Sequence, residues 1–333
     1  MSTIELTPRQ EWLAKRRLGI GGSDAAAAVR LSPWTTIVEL YLDKIGELPD
    51  RDENPDMRRG TLLEPVVRQL YADATGDEIV QPGEIIHHPK LHFALANLDG
   101  LVVGRDKLLE CKTARSRSEW GEPGSAEIPI VYMCQVQHCM AVAELPRADV
   151  AVLFGTDFEF AIYEIEADTE FQSLLFEREA EFWRMVEART PPEPTTADDI
   201  KLRWPKSKPI SASGGDKEAT AAIVLAAVRE RRKELEAIEE RAETILKSAI
   251  RDNEAIEIDG RVVATWKSAK DSDKFDAKAF QAEHPKLYKQ FSVTTPGSRR
   301  FLLKEKEVLC LTNNTNLNLP PWPSDLLPAT EPA

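Results

Sequence analysis

The sequence lacks the features that mark secreted, membrane-spanning and disulfide-stabilised proteins. Only four of its 333 residues are cysteine, which is too few for a disulfide scaffold and favours a reducing compartment. No stretch approaches the ~20 apolar residues that a membrane-spanning helix needs. The first residues, MSTIELTPRQEW, carry no basic segment followed by an apolar one, as a secretion signal would. We therefore expect a cytoplasmic protein with no membrane partner.

The chain also lacks the positive charge that a nonspecific nucleic-acid binder usually carries. Its net charge is −13, and the whole excess lies in residues 1–190, which hold 33 acidic and 20 basic residues. The remaining residues hold 23 of each kind. Because binding depends on the local potential more than on the net charge, contact with DNA would require local basic clusters and a metal ion.

The length of 333 residues predicts about two domains of ~150 residues each. In residues 1–190, apolar residues first recur at helical spacing, then form short runs between turn residues, and then return to helical spacing. This order predicts an α/β domain with a mixed central sheet flanked by helices. The predicted helices cover 8–17, 25–30, 36–45, 58–74, 130–143 and 169–188, and the predicted strands cover 79–80, 84–88, 92–96, 100–103, 107–111, 150–154 and 158–165.

The rest of the chain predicts a separate accessory module. Residues 191–216 are rich in proline, serine and glycine, which is typical of a linker. Residues 217–307 predict a helical and α+β module, and residues 308–333 form a proline-rich tail that we expect to be disordered. The elements expected in the module are a long helix over 217–252 with an apolar heptad stripe, a hairpin over 256–268, a helix over 277–290 and a strand over 300–304.

One stretch, from Asn97 to Lys112, combines the residue types that hydrolyse phosphodiesters with the help of a metal ion. Asp99 begins one predicted strand, and Glu110 and Lys112 end the next. Side chains alternate along a strand, so Glu110 and Lys112 share a face and Cys111 points away. Neighbouring carboxylates repel each other unless a divalent cation such as Mg²⁺ or Mn²⁺ joins them, and a lysine beside such a metal can orient or deprotonate a water. The spacing alone is a weak signal, since charged proteins contain it by chance.

This stretch is one of four blocks that occur in order. The others are WLAKRRLGIGGSDA from Trp12, RGTLLEP from Arg59 and YMCQVQH from Tyr132. Together they resemble the YqaJ-type phage recombinase nucleases, relatives of lambda exonuclease within the PD-(D/E)XK superfamily. The resemblance spans residues 12–189, a little over half of the chain. It implies a restriction-endonuclease-like α/β core and a phage or prophage protein that works in the bacterial cytoplasm.

The resemblance implies a metal centre made from specific residues. Asp99 and Glu110 match the family's metal ligands, and the backbone carbonyl of Cys111 would be a third. Glu64 matches a helix glutamate that reaches the metal directly or through water. Lys112 matches the catalytic lysine, and the implied cofactor is Mg²⁺ or Mn²⁺.

Further blocks imply a second catalytic contact and a phosphate site. Gln135 matches a catalytic-site glutamine on the helix that follows the sheet. Arg16 and Ser23 match the pair that grips the 5′-phosphate of DNA. That role also agrees with the local sequence, because Ser23 opens a helix after a glycine run, where free backbone N–H groups attract anions, and an arginine can add a bidentate contact.

Three departures from the family pattern affect the phosphate contacts. The first metal acid follows Leu98 where the family has proline, and Asn97 replaces a serine that contacts phosphate. A downstream arginine that assists the 5′-phosphate has no counterpart, although Arg115 or Arg117 could serve. We expect these changes to weaken the phosphate preference and to leave Asp99 competent as a ligand.

The function expected from this pattern is Mg²⁺-dependent hydrolysis of double-stranded DNA, as a 5′→3′ exonuclease. Its 3′ overhangs would pass to a single-strand annealing protein, and a homo-oligomer would build the channel that holds the DNA end. Two alternatives remain open. One is an endonuclease with the same core, which would cut closed circular DNA. The other is a noncatalytic DNA-binding recombination scaffold.

Overall fold

The structure is a computed structural model that describes residue 11 and residues 14–48, 54–155, 158–295, 297–304, 307–308 and 310. The chain divides into two compact units, and the boundary falls between Pro205 and Lys206. Residues 8–10, Trp12 and residue 13 of the first predicted helix lie outside the described residues, as do residues 309 and 311–333 of the predicted tail. Within the described residues, every helix is too short or too polar to cross a membrane.

The first unit is an α/β domain, as predicted. Its helices are α1 (Gly22–Ala28), α2 (Ile37–Lys44), α3 (Pro55–Thr75), α4 (Ile130–Val142), α5 (Thr169–Glu187) and α6 (Ala197–Arg203). Its strands are β1 (Ile79–Val80), β2 (Ile86–His87), β3 (Leu95–Ala96), β4 (Gly100–Val102), β5 (Lys107–Ala114), β6 (Arg147–Phe154) and β7 (Phe160–Glu166). Helix α6 lies inside the segment for which the composition predicts a linker, and Thr36 at the start of α2 bonds Asp199 of α6.

Five strands form a mixed sheet in the order β1-β4-β5-β6-β7. Among the strand pairs described in this sheet, β5 and β6 are the parallel pair, and α4 connects them, because parallel neighbours require a long crossover. Strands β4 and β5 pair antiparallel through a tight turn in which Gly104 has a φ of +74°. Strands β2 and β3 form a separate ribbon. The predicted combination of a mixed sheet and flanking helices is confirmed.

The two faces of β5 are buried against different helices. Leu108 packs in the larger core with Val136 and Met140 of α4, whereas Leu109 and Cys111 pack in a second core against α3. Strand alternation therefore places Glu110 on the α4 side. The predicted opposition of Glu110 and Cys111 across the strand is confirmed.

Helix α3 has clear start and stop signals. The Asn54 side chain accepts a hydrogen bond from the backbone N–H of Met57 at 2.8 Å, and Pro55 occupies the first turn. The helix ends at Gly76, which has a φ of +73°. These caps fix the register with which Val67 packs on the sheet.

A buried ion pair ties α4 to α5 and to β3. His138 Nδ1 lies 2.9 Å from Glu179 Oε1, and His138 Nε2 lies 2.9 Å from the carbonyl oxygen of Leu95. Burial favours the neutral imidazole, but the Glu179 carboxylate outweighs that effect and raises the pKa of His138. Both partners of the ring are acceptors, so the imidazolium, with two N–H donors, satisfies them. This pair anchors the helix that carries Gln135.

The second unit contains α7 (Asp216–Ile250), β8 (Ala255–Ile258), β9 (Arg261–Thr265), α8 (Ala277–Glu283) and α9 (Pro285–Phe291). The two strands pair antiparallel around the predicted turn at Asp259 and Gly260. The stripe of α7 is buried at Val224, whereas Leu235 and Ile238 are exposed.

Two predictions for the second unit are wrong. The single helix expected over 277–290 is two helices, because Pro285 has no N–H with which to continue the ladder of α8. Residues 300–304 have no regular structure. Within the described residues, β8 and β9 pair only with each other, so a strand at 300–304 has no partner.

Candidate active site between two strands and helix α4

The acidic residues of the motif meet where β4 and β5 pair. Gly100 lies opposite Leu109, which places Asp99 beside the end of β5 that carries Glu110. The Asp99 Oδ2 atom accepts the backbone N–H of Cys111 at 2.8 Å. Asp99, which precedes β4, is thus bound to the backbone of β5. This hydrogen bond holds the Asp99 carboxyl beside Glu110.

Glu110 is buried and only half satisfied. Its Oε1 atom accepts a hydrogen bond from Gln135 Nε2 at 2.6 Å and contacts Lys112 Nζ at 2.7 Å. Its Oε2 atom has no hydrogen-bond partner among the described residues, although the side chain is only 2 % exposed. An orphaned carboxylate oxygen in the interior is costly and marks a position where a further ligand would bind.

The carboxyls of the site resist ionisation in the metal-free protein. Burial, together with the charge of Asp99, raises the pKa of Glu110 to about 7 against the opposing effect of Lys112. Burial also raises the pKa of Asp99, and burial followed by the charge of Asp99 raises the pKa of Glu64. Carboxylates that repel each other in this way are stabilised by a bound cation.

Lys112 lies in the centre of a small polar network. Its Nζ atom donates to Gln135 Oε1 at 2.9 Å and lies 5.0 Å from the centre of the Tyr132 ring. Burial disfavours the ammonium, but the carboxylates of Glu110 and Asp99 outweigh that effect and raise the pKa of Lys112. Lys112 is therefore a cation whose ammonium lies between the Glu110 carboxyl and the Gln135 amide.

Glu64 approaches the site from α3. Arg68, one turn later on α3, binds Glu64 Oε1 at 2.5 Å and donates from Nε to the carbonyl oxygen of Asp99 at 3.0 Å. This arginine therefore links the α3 glutamate to the turn that carries Asp99. The structure therefore places Glu64 close to Asp99, with Arg68 bound to both residues.

The donor set fits a hard divalent cation that keeps some of its water. No group of three or more His, Cys, Asp or Glu side chains in the described part of the chain is arranged to hold a metal by itself. The orphaned Oε2 of Glu110, the Asp99 carboxylate and the carbonyl of Cys111 are oxygen donors, and Mg²⁺ characteristically takes one or two carboxylates and several waters. Glu64 would act through water, since Arg68 holds it.

Arg16 and Ser23 lie together, as the resemblance implies. Arg16 Nη2 donates to Ser23 Oγ at 3.0 Å and contacts Asp24 Oδ1 at 2.7 Å. Lys44 Nζ, which is fully buried, contacts the other Asp24 oxygen at 2.7 Å. Burial opposes ionisation of Asp24, but Lys44 and Arg16 outweigh it and hold the pKa of Asp24 well below its usual value. Asp24 therefore fixes the guanidinium beside the exposed Ser23 hydroxyl.

Close packing joins this pair to the candidate catalytic residues. A Cβ atom on Gly22 would lie 2.4 Å from Cys139 Sγ and 3.2 Å from Gln135 Cγ, so only glycine fits there. Ser23 follows directly in the chain, and Gln135 bonds both Glu110 and Lys112. The candidate phosphate contacts thus adjoin the candidate catalytic site.

The other expected phosphate contacts are placed less favourably. Asn97 is exposed between β3 and β4. Arg115 binds Asp56 at 2.9 Å, and Arg117 binds Glu159 at 2.6 Å. Each arginine is therefore paired with a carboxylate that an incoming phosphate would have to displace.

Comparison with known proteins identifies the family. Residues 11–146 match the model of the YqaJ-like viral recombinase domain. The chain is 33% identical over 310 residues to the uncharacterized protein YqaJ of Bacillus subtilis (strain 168), with 89% of this chain and 94% of that protein covered. The chain belongs to the YqaJ family. The resemblance drawn from the four sequence blocks is confirmed.

Two of the solved structures to which this chain is similar are exonucleases. One is an alkaline exonuclease (LHK-Exo) from Laribacter hongkongensis, with 25% identity, 54% of this chain and 93% of that chain covered, and a TM-score of 0.45. The other is a phage-related exonuclease from Haemophilus somnus 129PT, with 13% identity, 54% and 97% covered, and a TM-score of 0.42.

Sequence reasoning missed three residues that position the site. Arg68 follows Glu64 by four positions, which is the spacing of a helical ion pair and could have been noticed. Tyr132 begins the sequence block YMCQVQH, but only the fold shows that its ring lies beneath Lys112. No sequence signal links Lys44 to Asp24, since twenty residues separate them.

Proposed function

We propose that this YqaJ family member is a metal-dependent deoxyribonuclease that hydrolyses phosphodiesters of double-stranded DNA. The observation that carries the proposal is Glu110, a buried carboxylate with one orphaned oxygen between Asp99 and Lys112. A protein with a purely structural role gains nothing from two destabilised acids beside a buried cation. A nuclease needs this arrangement, because charge develops on the phosphate during hydrolysis.

Each residue has a defined part in the proposed reaction. Asp99, Glu110 and the Cys111 carbonyl would hold Mg²⁺ or Mn²⁺, which when bound acidifies water and offsets phosphate charge. Lys112, kept cationic by its neighbours, stabilises negative charge near the scissile phosphate and orients the water. Gln135 positions both Lys112 and Glu110.

We further infer a 5′→3′ exonuclease that leaves 3′ overhangs. The support is the contact between α1 and α4, through which Ser23 and Arg16 adjoin Gln135. A terminal phosphate carries more charge than an internal diester, so it gains more from a guanidinium. The overhangs would serve a single-strand annealing protein in the bacterial cytoplasm, and a homo-oligomer would retain the DNA end.

Linear and covalently closed plasmid test this proposal. With Mg²⁺, linear duplex should be digested progressively from its 5′ ends and closed circles should persist. A chelator should stop digestion of the linear duplex. Cutting of closed circles would instead support an endonuclease, a reading favoured by the pairing of Arg115 and Arg117 with carboxylates. If neither substrate is cleaved, the result would support the noncatalytic DNA-binding scaffold.

Arg16→Ala should reduce the preference for a 5′-phosphorylated end and leave the chemistry in place. Lys44 still neutralises Asp24 in this variant, so the fold should persist. We expect wild type to digest 5′-phosphorylated duplex several-fold faster than 5′-hydroxyl duplex, because the guanidinium makes a charge-assisted contact with the terminal phosphate, and the variant to digest both at similar rates. The measurement compares initial rates on two duplexes that differ only at the 5′ end.

Arg17→Ala is the matched control for this test. Arg17 is the next residue, has a similar exposure and pairs with Asp43 rather than with Ser23. Its variant should keep the wild-type preference. An unchanged preference in Arg16→Ala would show that the pair does not read the DNA end.

A further inference from the structure

An exposed tryptophan lies against the tyrosine whose ring contacts Lys112, and it has no part in the metal or phosphate contacts described above. Trp34 belongs to the loop between α1 and α2, and its ring centre lies 5.9 Å from that of Tyr132 at an angle of 39°. The same Tyr132 ring lies 5.0 Å from Lys112 Nζ. Trp34 is nevertheless 64 % exposed. One ring therefore separates a solvent-facing indole from the reacting groups.

The rings behind Trp34 form a rigid support. Trp120 lies 5.4 Å from Tyr132, and its other contacts are Tyr163 at 5.0 Å and Phe154 at 5.8 Å. Tyr163 and Phe154 are fully buried residues of the sheet. The aromatic column that begins at Trp34 thus ends in the core, and motion of Tyr132 is restricted from behind.

The loop that presents Trp34 is itself held in place. The Ser32 hydroxyl oxygen accepts the backbone N–H of Trp34 at 3.3 Å and that of Thr35 at 3.1 Å. The backbone N–H groups of Leu31 and Ser32 both donate to the carbonyl oxygen of Ala26 in α1. The indole is therefore presented on a fixed backbone.

We propose that Trp34 stacks on a nucleobase of the DNA strand whose phosphodiester the site cleaves. This inference rests on the proposed nuclease function, and it adds recognition of the base to recognition of the phosphate. A base that leaves its own stack loses contact area, which a flat indole can replace without reading the base identity. The platform would hold the end nucleotide against the site and would tolerate any sequence.

Binding without cleavage tests the platform in the full-length protein. The probes are fluorescein-labelled duplexes whose first, second or third 5′ nucleotide is either normal or abasic, titrated in chelator so that no divalent cation is present. One abasic position should weaken wild-type binding about tenfold, in the range for one stacked base. Trp34→Ala should bind the intact duplex about tenfold more weakly and should lose little more at that abasic position. Trp34→Phe should retain most of the effect.

Leu31→Ala is the control, because Leu31 is an exposed apolar residue of the same loop with 47 % exposure. It should respond to abasic positions as wild type does. The platform is overturned if wild type does not bind the duplexes, if no abasic position matters, or if Trp34→Ala keeps the full sensitivity. Cleavage by wild type in Mg²⁺ is scored separately, so its absence would refute the nuclease function without deciding the stacking result.

Discussion

Glu110→Gln is expected to reduce DNA cleavage at least a thousandfold while the protein stays folded. Glutamine has nearly the same shape and can still accept the hydrogen bond from Lys112, but it removes the negative charge that would hold the metal. The size of the loss follows from removing a group that organises the transition-state charge. Initial rates on linear duplex in Mg²⁺ provide the measurement, with detection extended by long incubation.

The same substitution should stabilise the metal-free protein at neutral and alkaline pH. The pKa of Glu110 is raised from its usual 4.5 to about 7 by burial and Asp99, so the folded state holds the proton more tightly than the unfolded state does. Below about pH 4.5 the carboxyl is neutral in both states and costs nothing. As the pH rises towards 7 the unfolded state ionises first, and wild-type stability falls.

Thermal melts in chelator at several pH values test whether wild-type stability falls relative to that of Glu110→Gln as the pH rises. Glu110→Gln should melt close to wild type near pH 4.5 and above wild type at pH 8, because the charged groups facing position 110 (Asp99, Glu64 and Lys112) then act on a neutral amide. Glu164→Gln, at an exposed position on β7, is the control and should change neither rate nor melting temperature. A Glu110 variant that kept full activity would contradict the metal assignment.

The sequence was informative where local periodicity decides the structure. Strand alternation correctly placed Glu110 on one face of β5 and Cys111 on the other, since the side-chain period of a strand is two whatever its partners are. The hairpin turn at Asp259 and Gly260 was equally local. The strand predicted over 300–304 was wrong because strand formation is not decided locally. An apolar and basic run becomes a strand only where the edge of another strand is available to pair with it.

The geometry of the site depends on contacts between distant segments, which periodicity does not encode. Lys44 of α2 binds Asp24 of α1, and Arg68 of α3 donates to the Asp99 carbonyl oxygen. Arg115 and Arg117 were the candidates to replace the family's missing downstream arginine, but the fold pairs them with the carboxylates of Asp56 and Glu159. Sequence blocks therefore indicated which residues gather at the site, while the partners that hold them became visible only in three dimensions.

Lys112→Met should lower the cleavage rate by about two to four orders of magnitude with little loss of DNA affinity. Methionine keeps an unbranched apolar stem beside Tyr132 and removes the ammonium. That ammonium lies 2.7 Å from Glu110 and 2.9 Å from Gln135, so it adjoins the carboxylate that we propose as a metal ligand. Single-turnover rates in Mg²⁺ and Kd values in Ca²⁺, which can occupy oxygen sites, separate chemistry from binding.

Stability gives this prediction a second readout, opposite in sign to that of Glu110→Gln. Without the ammonium, the buried Glu110 carboxylate loses its cation, so Lys112→Met should melt below wild type at pH 8 in chelator. The double variant Glu110→Gln and Lys112→Met removes both charges and should recover the melting temperature but not the activity. Equal losses of affinity and rate in Lys112→Met would instead make Lys112 a phosphate-binding group, because a residue that acts only on the transition state leaves ground-state affinity unchanged.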